Sequence, residues 1–148
     1  MEKINFKDLP NTSTPINATN LNAIQTNTEN AINGIIDSGS NDNGKWIKFS
    51  DGTMICMVTK TKNGFYIDNS HNNVYYKNYD TKLLFPVEFI EKPIVNISAI
   101  SSTTNSFWIG GVGVQNITND GVQNIGFFAP YERYIDFTLN IIAIGRWK

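Results

Sequence analysis

The chain has 148 residues, 41% of them hydrophobic and 17% charged, with a formal net charge of -1. That suits one folded domain with an appendage, its surface richer in amides and hydroxyls than in ions. The 12 Lys and Arg side chains are scattered, which excludes a nucleic-acid or anionic-membrane binder built on a basic patch.

No apolar run approaches the roughly 18 residues of a membrane span, so no membrane insertion is expected. Met-Glu-Lys-Ile-Asn is not followed by an apolar stretch of the kind a signal peptide carries. Synthesis and assembly in a cytosol are therefore expected. Cys56 is the only cysteine, so intrachain disulfides and thiolate metal cages are ruled out. It sits in the apolar run MICMV, where a buried structural thiol is expected.

Residues 1–18 hold two prolines and few apolar anchors, and read as an extended arm. From Thr19 the pattern changes, with Thr19 or Asn20 placed to cap a helix over 19–36. Leu21, Ile24, Thr28, Ala31 and Ile35 follow at spacings of three, four, three and four, a short heptad seam. A lone helix of roughly 16 residues is marginal in water, and this one is rich in Asn and Thr, so it needs a surface to pack on. Two surfaces are open to it: its own domain, or identical helices in a short parallel bundle, most simply of three. Residues 37–44, DSGSNDNG, read as a flexible linker.

From residue 45 to 148 the signals are those of a β-sandwich. In KWIKFSDGTMICMV, Asp51-Gly52 separates two apolar runs and predicts a hairpin. Both faces of the following strand are apolar, as in a strand covered on both sides. IVNISA alternates, with Val95, Ile97 and Ala99 facing inward. GVQNI occurs twice around TND and reads as one hairpin, since a solenoid needs more and longer repeats. The last segment, YIDFTLNIIAIGRW, alternates through Ile135, Phe137, Leu139, Ile141 and Ala143. Ile142 and Ile144 then make its outer face apolar too, as if a neighbouring subunit sealed it.

These residues carry a family resemblance. INFKDLPNTSTPINATNLNAIQ resembles a segment of tail proteins from phages of Gram-positive bacteria, where Pro-(Leu/Ile)-Asn-Ala-x-Asn-Leu-Asn opens a short helix. WIKFSDGTMI is similar to the opening of the C-terminal β-domain of phage tail fibres. FPVEF followed by KPIV, and the closing AIGRWK, match that domain's later strands, and fibres of phage-tail-like bacteriocins are similar. Together the motifs span nearly the whole chain. The resemblance implies a mainly β chain: a short, coiled-coil-like trimeric helix, then an antiparallel β-sandwich, assembled as a homotrimer. It implies a virion tail or tail-like particle that meets bacterial cell-wall glycan, with the arm joining other tail or baseplate proteins. Here the arm is shorter than a long fibre's shaft, and the His-x-His metal motif of some fibre tips is absent, since His71 stands alone.

No catalytic, cofactor or metal set emerges. Asp68, Ser70 and His71 are neighbours on a loop, which does not supply the geometry of nucleophile, base and orienter. Glu88 and Glu91 flank Phe89-Ile90 beside Pro93, and read as solvated rather than as a glycosidase pair. WIGGVGVQN is not GxGxxG, because position 116 is Asn. What remains is a binding composition in the segment 68–79. Asn69, Asn72, Asn73 and Asn78 accompany Tyr75, Tyr76 and Tyr79, offering flat rings for the C–H faces of sugars and amides for their hydroxyls. Trp108 and Tyr131 are further ligand candidates, whereas Trp46 and Trp147 read as structural. Leu21, Ile24, Thr28, Ala31, Ile35, Ile142 and Ile144 are the expected oligomerisation residues. Three readings of function follow: a non-enzymatic receptor-binding protein, a baseplate or fibre spacer without ligand, and a surface-polysaccharide depolymerase.

Overall fold

The computed structural model describes residues 18–32, 34–101, 106–110 and 116–148. The alternation at the end of the chain yields a single long strand, β11 (Arg133–Arg146), whose Ile135, Phe137, Leu139, Ile141 and Ala143 are at most 1% exposed. It lies next to the edge of a five-stranded antiparallel sheet. The order is β1 (Ile35–Asn41), β2 (Gly44–Phe49), β3 (Thr53–Ile67), β11 and β7 (Ile94–Ser101). A second sheet runs β4 (Asn69–His71), β5 (Val74–Tyr79), β10 (Ile125–Ala129) and β8 (Trp108–Ile109). Two short strands, β6 (Leu83–Leu84) and β9 (Gly121–Val122), pair separately.

The inner faces of the two sheets meet in one core. Phe137 stacks against Phe127 with ring centroids 4.3 Å apart, and Phe65 meets both, at 5.5 and 5.3 Å. The expected antiparallel, mainly β architecture with one short helix is what the chain adopts. Met54, Cys56 and Val58 of β3 are buried, and Ile55 and Met57 on its other face are half-buried. Burial pushes the Cys56 thiol up to about 11, as for an inert core cysteine. The Asp51-Gly52 hairpin forms: Gly52 has φ 93°, and Asp51 accepts a bond from the Thr53 amide at 2.8 Å. Ile117 and Val122 bridge the second hairpin, while residues 113–115 of its first repeat lie outside the described residues.

Two expectations are corrected. The helix, α1 (Ala18–Ile32), ends before Ile35, which is the first residue of β1. Ile35 therefore leaves the heptad seam. The residues read as a linker form most of β1 and a tight turn into β2. Five contacts overcome their poor strand propensity. The Trp46 ring lies on Gly39, where a Cβ would collide with it. Trp46 Nε1 donates to Asp37 at 3.1 Å, and Lys48 pairs with the same carboxylate at 3.1 Å. Asn41 accepts from the Asn43 amide at 2.9 Å, closing the turn, and its own amide donates to Pro86 O at 2.8 Å. The expected arm (1–18) lies, up to residue 17, outside the described residues. Among the described residues α1 shows no extensive contact with either sheet, and Ile24 is 62% exposed.

Candidate functional site

Side chains alternate across a strand, so the register of the second sheet decides which residues share its outer face. Asn69 on β4 opposes Tyr76 on β5, Tyr76 opposes Phe128 on β10, and Phe128 opposes Trp108 on β8. Three aromatic residues thus stand in one row across three strands, with an amide at the end of the row. Tyr76 is 37% exposed and Trp108 is 48% exposed. The Phe128 and Trp108 rings are nearly parallel, 11° apart in plane with centroids at 6.3 Å.

The neighbouring row explains how Phe128 lies. Asn78 opposes Gly126, and the Gly110 amide donates to Gly126 O at 2.9 Å. A Cβ on Gly110 would come 2.5 Å from Phe128 Cε2, and one on Gly126 would come 3.2 Å from it. The two glycines leave the space in which the Phe128 ring rests over the strands. Beside it, His71, Asn72, Val74, Tyr76 and Phe128 line an open depression of about 510 Å³. Asn72 and Asn73 have φ of 49° and 62°, as both central residues of a type I′ hairpin turn require. Asn73 is therefore a turn residue first. Asn72 also reaches His71 Nε2 at 3.2 Å.

The structure brings together Asn69, Asn72, Tyr76 and Trp108 among the expected ligand residues, and separates others. Tyr79 is a core residue, with its ring 5.9 Å from that of Phe137 and 6.0 Å from that of Phe65. Tyr75 points to the inner face and packs against the core. Tyr131 lies on the turn after β10, its ring 3.8 Å from the Arg133 guanidinium. Arg133 is 9% exposed and donates to Ser106 O at 2.6 Å, fixing the backbone that leads into Trp108. Phe128 and the two glycines were missed as site residues, whereas Asn78 belongs to the composition read in segment 68–79. The alternation of Ile125, Phe127 and Ala129 was the available signal, because it turns Gly126 and Phe128 outward. Glu88 accepts from the Asn119 amide, away from this face. The expected structural tryptophans are tied in: Trp147 Nε1 donates to Phe49 O at 2.9 Å.

On the outer face of the five-stranded sheet a second row crosses four strands: Ile47, Ile55, Ile144 and Ile94 are successive register partners. Ile142 stands beside it, opposite Met57. Ile142 and Ile144 are 47% and 44% exposed in the single chain. Farther along, the face is polar, with Thr59 bonded to Asn140 and Thr61 to Thr138.

No protein-family model and no curated protein matches the chain. Its structural neighbours include two R1 pyocin tail fibre chains. One is an N-truncated R1-type pyocin tail fibre: 14% identical, TM-score 0.49, with 81% of this chain and 94% of that chain covered. The other is a C-terminal part of the P. aeruginosa R1 pyocin fibre, also 14% identical, at TM-score 0.46. There the match covers 81% of this chain and 31% of that one.

Proposed function

We propose that this chain is the receptor-binding protein of a phage tail or tail-like particle, and that it attaches to bacterial cell-wall carbohydrate without chemistry. The observation that carries the reading is the Asn69–Tyr76–Phe128–Trp108 row. A row of surface rings, two of them nearly parallel, bordered by amides is the surface that a sugar's C–H faces and hydroxyls require. The order of tail-protein motifs along the sequence supports the same reading.

The working unit in this proposal is a homotrimer. The isoleucine row and α1, with Leu21, Ile24 and Thr28 on its seam, are the surfaces on which copies meet. Apolar rows this exposed are uncommon on a monomer unless they are covered. The isoleucine row and the aromatic row occupy the outer faces of opposite sheets, so assembly through one leaves the other open. Single glycan contacts are weak, and three sites on one tip raise apparent affinity by roughly a hundredfold or more. The segment before α1 joins the protein to other tail or baseplate proteins.

Fluorescently labelled protein incubated with a panel of bacterial strains tests the proposal. At least one strain is expected to bind, and Tyr76→Ala and Trp108→Ala are each expected to lower that binding about tenfold or more. Because both rings are on the surface, Tm should move by no more than about 2 °C. A protein that binds no strain, or variants that bind as the wild type does, would refute it.

A further inference from the structure

The strands that carry the platform are unusually free of charge. Residues 93–131, which include β8 and β10, contain a single ionised side chain, Asp120. Lys82 holds that carboxylate at 2.7 Å, beside the Thr118 hydroxyl at 2.6 Å. Residues 69–79, which supply β4 and β5, contain only Lys77 besides His71. Lys77 opposes Phe127, so it points to the inner side of the sheet, where Asp68 binds it at 2.9 Å. Arg133 is the first cation after β10. Tyr131 covers it, and one of its terminal nitrogens is committed to Ser106 O. Among the described residues, no carboxylate, lysine or arginine lines the depression beside Phe128.

This neutrality defines what the face can hold. A ligand phosphate or carboxylate laid on Tyr76, Phe128 and Trp108 would lose water and gain no counter-charge, which is costly. It would also face the electron-rich side of the rings. A hydroxyl or acetamido group meets a partner in Asn69, His71 or Asn78 instead. Neighbouring strands lie roughly 4.8 Å apart, so Tyr76 and Trp108, two strands apart, span about 10 Å. That is longer than one sugar ring.

We infer that the platform takes an uncharged oligosaccharide, laid across the strands with successive ring faces on Tyr76, Phe128 and Trp108, and that it excludes anionic polymers. This rests on the receptor-binding reading and names the chemical class of the receptor. Binding of this kind owes nothing to charge and is insensitive to salt.

The test is a glycan array carrying uncharged hexose and N-acetylhexosamine oligosaccharides beside uronate-, sialate- and phosphate-bearing ones, probed with the full chain. Signal is expected on uncharged spots of more than one sugar, with strength unchanged between about 50 and about 500 mM NaCl. Trp108→Ala should reduce that signal about tenfold, and Trp108→Phe should restore most of it. Signal on the anionic spots that fades with salt would overturn the inference, as would silence on every uncharged spot. Labelled whole cells tell the two failures apart. Strains that still bind would sink only the ligand class, whereas an absence of binding to all strains would sink the receptor reading as well.

Discussion

Tyr75, Tyr76 and Tyr79 lie within five positions of one another and have three different fates. Strand alternation sends Tyr75 and Tyr79 inward and Tyr76 outward, and the core rings of Phe65 and Phe137 then claim Tyr79. Composition alone makes all three look like sugar platforms; the period of two separates them. Tyr79→Ala should therefore cost about 3 kcal/mol or more in chemical denaturation, while Tyr76→Ala leaves the midpoint nearly unchanged. The glycines matter as much as the rings. Gly110→Ala places a methyl against Phe128 Cε2, so the ring must tilt off the strands. Cell binding should fall several-fold while the fold survives, and unaltered binding would mean that the Phe128 orientation is irrelevant.

Among the elements, those with clear periodicity were readable from sequence. The alternation in β7 and β11 placed their inward residues correctly, and the Asp51-Gly52 pair located the hairpin between β2 and β3. β1 was not readable, because Ser, Gly, Asp and Asn are poor strand formers. It is a strand because the edge of β2 offers partners and because Trp46 and Lys48 reach across to Asp37. Those contacts are long-range in cause, though short in sequence. The binding row was hidden for a similar reason: its members come from four strands and are brought together by register alone. The helix presents the opposite case, a seam visible in sequence whose last member, Ile35, tertiary pairing takes away. With the seam shortened, α1 is too weak to hold copies together by itself, so the proposed trimer needs the isoleucine row as well. Replacing Leu21 and Ile24 by Asp should thus lower the mass measured by light scattering, and an Ile142→Lys, Ile144→Lys pair should lower it further. An unchanged mass in both would remove the trimer from the proposal.

At the scale of the whole molecule, the two exposed rows on opposite sheets have different tasks in the proposed assembly, one meeting copies of the chain and the other the host. The charges that remain are spent on the scaffold. Hydrogen bonds from Lys48, the Thr53 amide, Lys77 and Lys82 hold Asp37, Asp51, Asp68 and Asp120, respectively, below the usual carboxylate range. A depressed folded value favours the ionised, folded form. Its contribution is complete above the ordinary value of 3.8 and disappears as pH falls through the lower folded values. Tm should accordingly stay level from about pH 8 to about pH 5 and decline below about pH 4. Asp120→Asn should make that decline shallower. A decline beginning near neutrality would point to a different titrating group.

Hydroxyl-radical footprinting with and without purified wall polysaccharide from a bound strain tests the placement of the site most directly. Tyr76, Trp108, Tyr131 and Tyr134 are all exposed enough to be oxidised in the free protein. The account predicts that polysaccharide protects Tyr76 and Trp108 and leaves Tyr134 as reactive as before. Protection of Tyr131 and Tyr134 instead, with Tyr76 and Trp108 still open to attack, would contradict it.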